Sequence, residues 1–155
     1  MKAVLQRVIN ASVEIFAEAH AAAPHTVHRI GRGFVVLLGV AQGDTREQAD
    51  KLVDKMAGLR VFADPDAKMN LDILQAEGSF LLISQFTLLA DTRKGRRPSF
   101  IRAADPATGE ALYHYTAERL RGLGFVVATG EFGAHMVVQI ANDGPVTILL
   151  DTDQV

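Results

Sequence analysis

The chain has 155 residues, 48% hydrophobic and 22% charged, with a formal net charge of −2. That is enough apolar chain for one well-buried domain and too little positive charge for a global field that draws in nucleic acid. There is no Cys, so disulfides, thiolate nucleophiles and zinc–thiolate sites are excluded together.

No apolar run approaches the ~20 residues a membrane span needs. The first residues, MKAVLQRVINASVEI, alternate polar and apolar and lack a signal-peptide core. A soluble cytoplasmic protein is expected. Residues 2–8 place Ala3, Leu5 and Arg7 on one face, and residues 11–16 set Val13 and Ile15 against Ser12 and Glu14. Two strands joined at an Ile9-Asn10 corner fit that alternation. The Ala-rich 18–24 stretch reads as an extended hairpin loop, and residues 26–30 return as a strand. Gly31-Arg32-Gly33 turns into FVVLLGV (34–40), an unbroken apolar run that predicts a central strand covered on both faces.

Thr45 and Gln48 have capping-box spacing. Behind them Ala49, Leu52, Val53, Met56 and Leu59 recur at helical period, which predicts a helix over about 45–59. A short strand over 60–63 and a loop over 64–74 follow. FLLISQFTLL (80–89) reads as a buried strand, and the stretch 90–106 as a long basic loop of functional length. A second helix is predicted over about 108–123, with Leu112, Tyr115, Thr116, Leu120 and Leu123 on one stripe and Gly124 as its stop. Residues 125–129 form a strand, and GEFGA (130–134) a turn. MVVQIA (136–141) and VTILL (146–150) flank Asn142-Asp143-Gly144-Pro145, which reads first as a hairpin turn. The order of elements predicts an α+β fold with antiparallel or mixed sheets. Gly31-x-Gly33 opens a strand instead of a helix, so it is not a dinucleotide fingerprint.

Three stretches could carry chemistry. Ser84, Gln85 and Thr87 sit in an otherwise apolar strand, where each buried polar group needs a partner. Were the strand to fray there, the N–H groups of Phe86 and Thr87 would be free to stabilise an oxyanion; otherwise they are an ordinary strand end. The second is Gly144-Pro145. Pro lacks the N–H that a following strand would use, and only at X-Pro is a cis bond cheap, at roughly 0.5–1 kcal/mol. The third is the run Arg93, Lys94, Arg96, Arg97, able to neutralise phosphates or to stand as a solvated loop. Ser84 lacks a G-x-S-x-G elbow. His20, His25 and His28 lack zinc-site spacing, and His114 and His135 show no obvious partner.

With SQFTL (84–88) and NDGPVT (142–147) both in view, the chain resembles the D-aminoacyl-tRNA deacylases of the bacterial and eukaryotic type. MKAVLQRVINASVEI, LRVFAD, KMN, SQFTLLADTRKGRRPSF and TGEFGAHM appear in that family's order. The one departure is the stretch 20–28, longer than the family's usual hairpin. The resemblance implies a single domain over 1–155, with a barrel-like core and two long helices packed on it. It implies hydrolysis of the ester joining a D-amino acid to the 3′-terminal adenosine of tRNA, glycyl-tRNA included, without cofactor or metal. It assigns Ser84, Gln85, Phe86 and Thr87 to catalysis, and Asn142, Gly144, Pro145 and Thr147 to chiral selection. The Gly144–Pro145 bond is expected to be cis, with its carbonyls entering the pocket of the other subunit of a homodimer. Arg93, Lys94, Arg96, Arg97, Phe132 and Met136 are its expected tRNA contacts, with neither DNA nor membrane as a partner. Two alternatives stay open: Thr87 as a covalent nucleophile, though no base lies at an obvious spacing, and a non-catalytic module for the tRNA 3′ end.

Overall fold

Fifteen residues, Lys2–Phe16, run as one strand, β1, with Ala3, Leu5, Val8, Ala11, Val13 and Ile15 turned inward. This computed structural model describes residues 1–19 and 21–154, so His20 lies outside the described residues. The Ile9-Asn10 corner does not divide β1 in two as the pattern suggested. The chain continues through it, and its neighbours change there. On one edge β3 (Gly33–Gly39) pairs as far as Val8, and β2 (Thr26–Ile30) takes over from Ala11. On the other edge β8 (His135–Asp151) pairs along the whole length, with a register shift between Val8 and Asn10.

From β3 the sheet extends through β6 (Ser79–Ser84) to β7 (Val127–Thr129), both added in parallel, while the pairings of β1 are antiparallel. His28 Nδ1 on β2 lies 2.7 Å from the Thr129 carbonyl on β7. That contact brings the two ends of the strip together, and the mixed sheet nearly closes into a barrel. Period-2 geometry then divides the core. Val35, Leu81 and Ile83 fill the barrel with Val8, Val13 and Ile15, while Phe34, Val36, Phe80 and Leu82 face the helices. The FVVLLGV run is therefore covered on both sides, as its composition required.

The first helix, α1, spans Arg46–Gly58 with Thr45 as N-cap and Gln48 closing the capping box, and it buries Ala49, Leu52, Val53 and Met56. Helix α2 spans Pro106–Gly122, starting earlier than the predicted 108 because Asp105 caps it and Pro106 takes the first turn. Its buried stripe includes Tyr113 and Ala117 in place of Tyr115 and Leu123; Leu123 is the C-cap and is exposed. The predicted 64–74 loop holds a short strand, β5 (Met69–Leu71), paired with β4 (Phe62–Ala63). Among the described residues, no helix is long and apolar enough to cross a membrane.

The C-terminal hairpin reading is overturned. MVVQIA and VTILL do not fold back on each other; both pair with β1 in the same direction, as parts of one strand. Between Gln6 and Val8 on β1, β8 runs from Thr147 to Asn142, so the surplus residues bulge out of the ladder. A bulge is where a Pro without an N–H does no harm to a sheet.

Candidate active site

β6 ends at Ser84, short of the predicted 89, because of what faces it on β3. Gln85 N–H still donates to the Leu38 carbonyl at 2.7 Å. The next neighbour is Gly39, where an added Cβ would come within 2.5 Å of Leu89 Cδ2 and 3.1 Å of the Gln85 carbonyl oxygen. The missing side chain lets the chain turn inward as a 3-10 helix over Phe86–Leu89, anchored by the buried Leu89. The first donors of such a turn have no partner within it. Among the described residues, no acceptor meets the N–H of Phe86 or Thr87.

Beside this turn opens a cleft of about 680 Å³. One wall is Ile83, Ser84, Gln85 and Phe86. A second comes from the end of the basic loop, where Phe100 packs edge-on against Phe86 with centroids 5.0 Å apart. The third is the segment from Phe132 to Met136. Helix α2 fixes that third wall. The Phe132 ring lies over Gly109, where a Cβ would stand 3.3 Å from Phe132 Cζ. Tyr113 Oη lies 2.9 Å from the Leu82 carbonyl and 3.2 Å from that of Gly130, so one hydroxyl spans the end of β6 and the start of the 130–134 turn. Burial pushes the Tyr113 phenol up to about 12, which keeps it a neutral donor. Gly130 in turn leaves room for Met136, whose sulfur a Cβ there would meet at 2.5 Å.

Thr87 does not line this cleft. Its hydroxyl is exposed and accepts from the Gln85 side-chain amide. Among the described residues, no imidazole or carboxylate is hydrogen-bonded to it. The basic loop closes on itself through paired backbone bonds between Asp91 and Ser99 at 2.8 and 2.9 Å. Arg93 grips the Asp91 carboxylate through Nε at 2.9 Å and Nη2 at 2.6 Å, and this fork holds Asp91 well below the usual carboxylate range. Arg93, exposed like Lys94, Arg96 and Arg97, is thereby tied to the loop's own carboxylate.

The Asn142–Thr147 bulge is built separately. The Gly144–Pro145 bond is cis and Gly144 has φ +118°, in the region that disfavours a side chain. Asn142 Nδ2 donates to the carbonyls of Arg7 and Val146 at 2.8 and 3.0 Å, and Thr147 Oγ1 accepts from Gln6 at 3.3 Å. Arg7 braces the bulge from behind. Its Nε stands 3.0 Å from Asp143 Oδ2, its Nη1 donates to the Val61 carbonyl, and a Cβ on Gly144 would meet Nη2 at 3.1 Å. Gly144 and Pro145 stay exposed. None of Asn142, Gly144, Pro145 or Thr147 lines the cleft of its own chain.

Ser84, Gln85, Phe86, Phe132 and Met136 thus meet around one cleft, while Thr87, the basic side chains and the Gly144–Pro145 bulge stand outside it. Arg7 and Phe100 were not singled out from the sequence. The available signal for Arg7 was its place on the same strand face as Ala3 and Leu5, where a charge needs a partner.

The family model described as D-Tyr-tRNA(Tyr) deacylase matches residues 4–151. The chain belongs to that family. A protein from Dehalococcoides mccartyi strain BAV1, named D-aminoacyl-tRNA deacylase, is 52% identical over 152 residues, covering 98% of this chain and 95% of that one. A protein of the same name from Lacticaseibacillus casei is 52% identical over 153 residues, with 99% of each covered. Among solved structures, one described as c-Myc DNA Unwinding Element Binding Protein superposes with a TM-score of 0.85 at 39% identity, covering 97% of this chain and 98% of that one. A probable eukaryotic D-amino acid tRNA deacylase gives 0.77 at 18% identity, over 96% and 97%, a likeness of fold alone.

Proposed function

We propose that the protein hydrolyses the ester of D-aminoacyl-tRNA, and of mischarged glycyl-tRNA, to free amino acid and tRNA with a free terminal hydroxyl. Family membership supports the reaction class. The observation that carries the mechanism is the pair of unpartnered N–H groups at Phe86 and Thr87, beside a cleft with aromatic walls. Donors fixed in advance at the place where a tetrahedral oxyanion grows stabilise the transition state more than the ground state. The ester is already activated, and its vicinal tRNA 2′-hydroxyl positions the water, so no protein nucleophile is needed.

Chiral selection is assigned to the Gly144–Pro145 bulge of a second copy, inserted into the cleft in a homodimer. Its exposure, and its separation from its own cleft, support that assignment. A rigid wall rejects the L series by clash and leaves the D side open, a way of excluding a wrong partner that also lets glycine through. The loop from Arg93 to Arg97 precedes Phe100 in the chain, and its exposed cations would meet the phosphates of the acceptor end.

Paired time courses with D- and L-tyrosyl-tRNA test the reading. Ester loss is expected to accelerate with the D substrate only. Equal rates on both would remove the chirality assignment. Retention of the charged tRNA without faster ester loss would favour a 3′-end binding module instead.

A further inference from the structure

The cleft does not stop at the 130–134 turn. A second hollow of about 480 Å³ lies on the other side, and Phe132, Gly133, Ala134 and His135 line both. The turn is a sill between two parts of one groove. The outer part is floored by Phe16, the last residue of β1, and rimmed by Glu18 and Glu131. Phe16 and His135 are cross-strand partners with ring centroids 5.7 Å apart. The rim is tied down as well: the His25 N–H donates to the Ile15 carbonyl at 2.9 Å, and His25 Nε2 stands 3.4 Å from Glu131 Oε2.

The charge of this hollow decides which part of a nucleotide can enter it. Among the described residues, two carboxylates and no Lys or Arg line it, so a phosphate is repelled. A base edge that donates hydrogen bonds is welcome, and the aromatic rings supply a stacking surface. Among base edges, cytosine presents an exocyclic amine that a Glu carboxylate accepts, whereas uracil presents an acceptor oxygen at the same place. All tRNAs end in CCA, so the nucleotide before the terminal adenosine is a cytidine. We propose that the outer hollow binds the cytosine of this penultimate nucleotide, stacked on Phe16 and His135, with its amino group donating to Glu131. The proposal rests on the deacylase reading and extends it from one nucleotide to two. It gives Glu18 and His25 a task, since Glu18 rims the hollow and His25 Nε2 stands beside Glu131.

Three synthetic esters test it: D-tyrosyl adenosine, D-tyrosyl-CpA and D-tyrosyl-UpA. The CpA ester is expected to exceed the adenosine ester in kcat/KM by about tenfold or more, and the UpA ester by no more than about threefold. In Glu131→Ala the CpA-to-UpA ratio should fall to near one, and in Phe16→Ala the CpA-to-adenosine ratio should fall likewise. Because each ratio is taken within one protein preparation, a partly misfolded variant does not mimic the result. Equal rates on the CpA and adenosine esters in the wild-type protein, or on the CpA and UpA esters, would overturn the cytosine site alone. If none of the three were hydrolysed, the deacylase reading would fall and this proposal with it.

Discussion

Thr87 shows how much a residue's role depends on which way its side chain points. Its N–H is unpartnered beside the cleft, while its hydroxyl is turned to solvent and held by Gln85. A nucleophilic hydroxyl needs a base in reach, and none is hydrogen-bonded here among the described residues. Thr87→Ala keeps the N–H and deletes the hydroxyl, so kcat/KM on D-tyrosyl-tRNA should stay within about threefold of wild type. A loss of several orders of magnitude would restore the covalent mechanism. At this scale the sequence was informative wherever a residue broke its local pattern. Ser84 and Gln85 in an apolar run, and Gly144-Pro145 between apolar runs, stood out for that reason. Arg7 broke its pattern too, but its partners Asp143 and Val61 are distant in the chain, and nothing local reveals them.

Among the elements, α2 does more for the site than its sequence suggests. Tyr113 holds together Leu82 on β6 and Gly130 at the turn, and Gly109 seats the Phe132 ring. Tyr113→Phe keeps the ring and removes the donor, leaving the Gly130 carbonyl short of a partner. It should cost about 1–1.5 kcal/mol of stability at pH 7, read from urea melts. The pH dependence has a definite sign. Burial raises the folded-state phenol above its ordinary value of 10, to about 12. The stabilisation is therefore fully present below pH 10 and is lost as pH climbs through 12. The wild-type protein should lose roughly 2–3 kcal/mol across that window, and the Phe variant should lack this component. An alkaline stability profile identical in the two proteins would count against the buried donor.

The helices were legible because their signals are local: the Thr45–Gln48 box and the i, i+3, i+4 stripe of α1 lie within a few turns of chain. The strands were legible one by one, but their partners were not. β8 looked like a hairpin because its two halves are interrupted by turn residues. Only the presence of β1 alongside, a partner more than a hundred residues away, makes them one strand. β5 was hidden for a different reason: its partner β4 is close in the chain, but β5 is three residues long and follows turn residues, too short for a period-2 pattern to show.

On the scale of the whole molecule, the outer face of the β1–β8 ribbon carries an apolar strip at one end, between the Lys2–Asp151 and Gln6–Thr147 pairs. Leu149 is 76% exposed, and its cross-strand neighbour Val4 lies beside it. Leu88, from the same 3-10 turn that borders the cleft, shares a surface slot with both. The proposed homodimer, if formed through this face, would bury that strip. Leu149→Lys should then weaken self-association by about tenfold or more in sedimentation equilibrium, with D-tyrosyl-tRNA hydrolysis falling in parallel as monomer accumulates. Unchanged association would place the interface elsewhere.

β1 is made well over a hundred residues before β8 is complete, yet they pair from Lys2↔Asp151 to Phe16↔His135. A nascent chain can complete β1's pairing with β2 and β3 while the opposite edge of β1 still lacks its neighbour. Closing so long a loop is entropically slow, and sheets dominated by such distant pairings fold over milliseconds to seconds. Until β8 arrives, an open edge rich in Val, Leu and Ile is presented to other chains, the kind of surface on which aggregation begins. Truncations that remove the C-terminal strand should therefore accumulate as insoluble protein instead of as a soluble, smaller barrel.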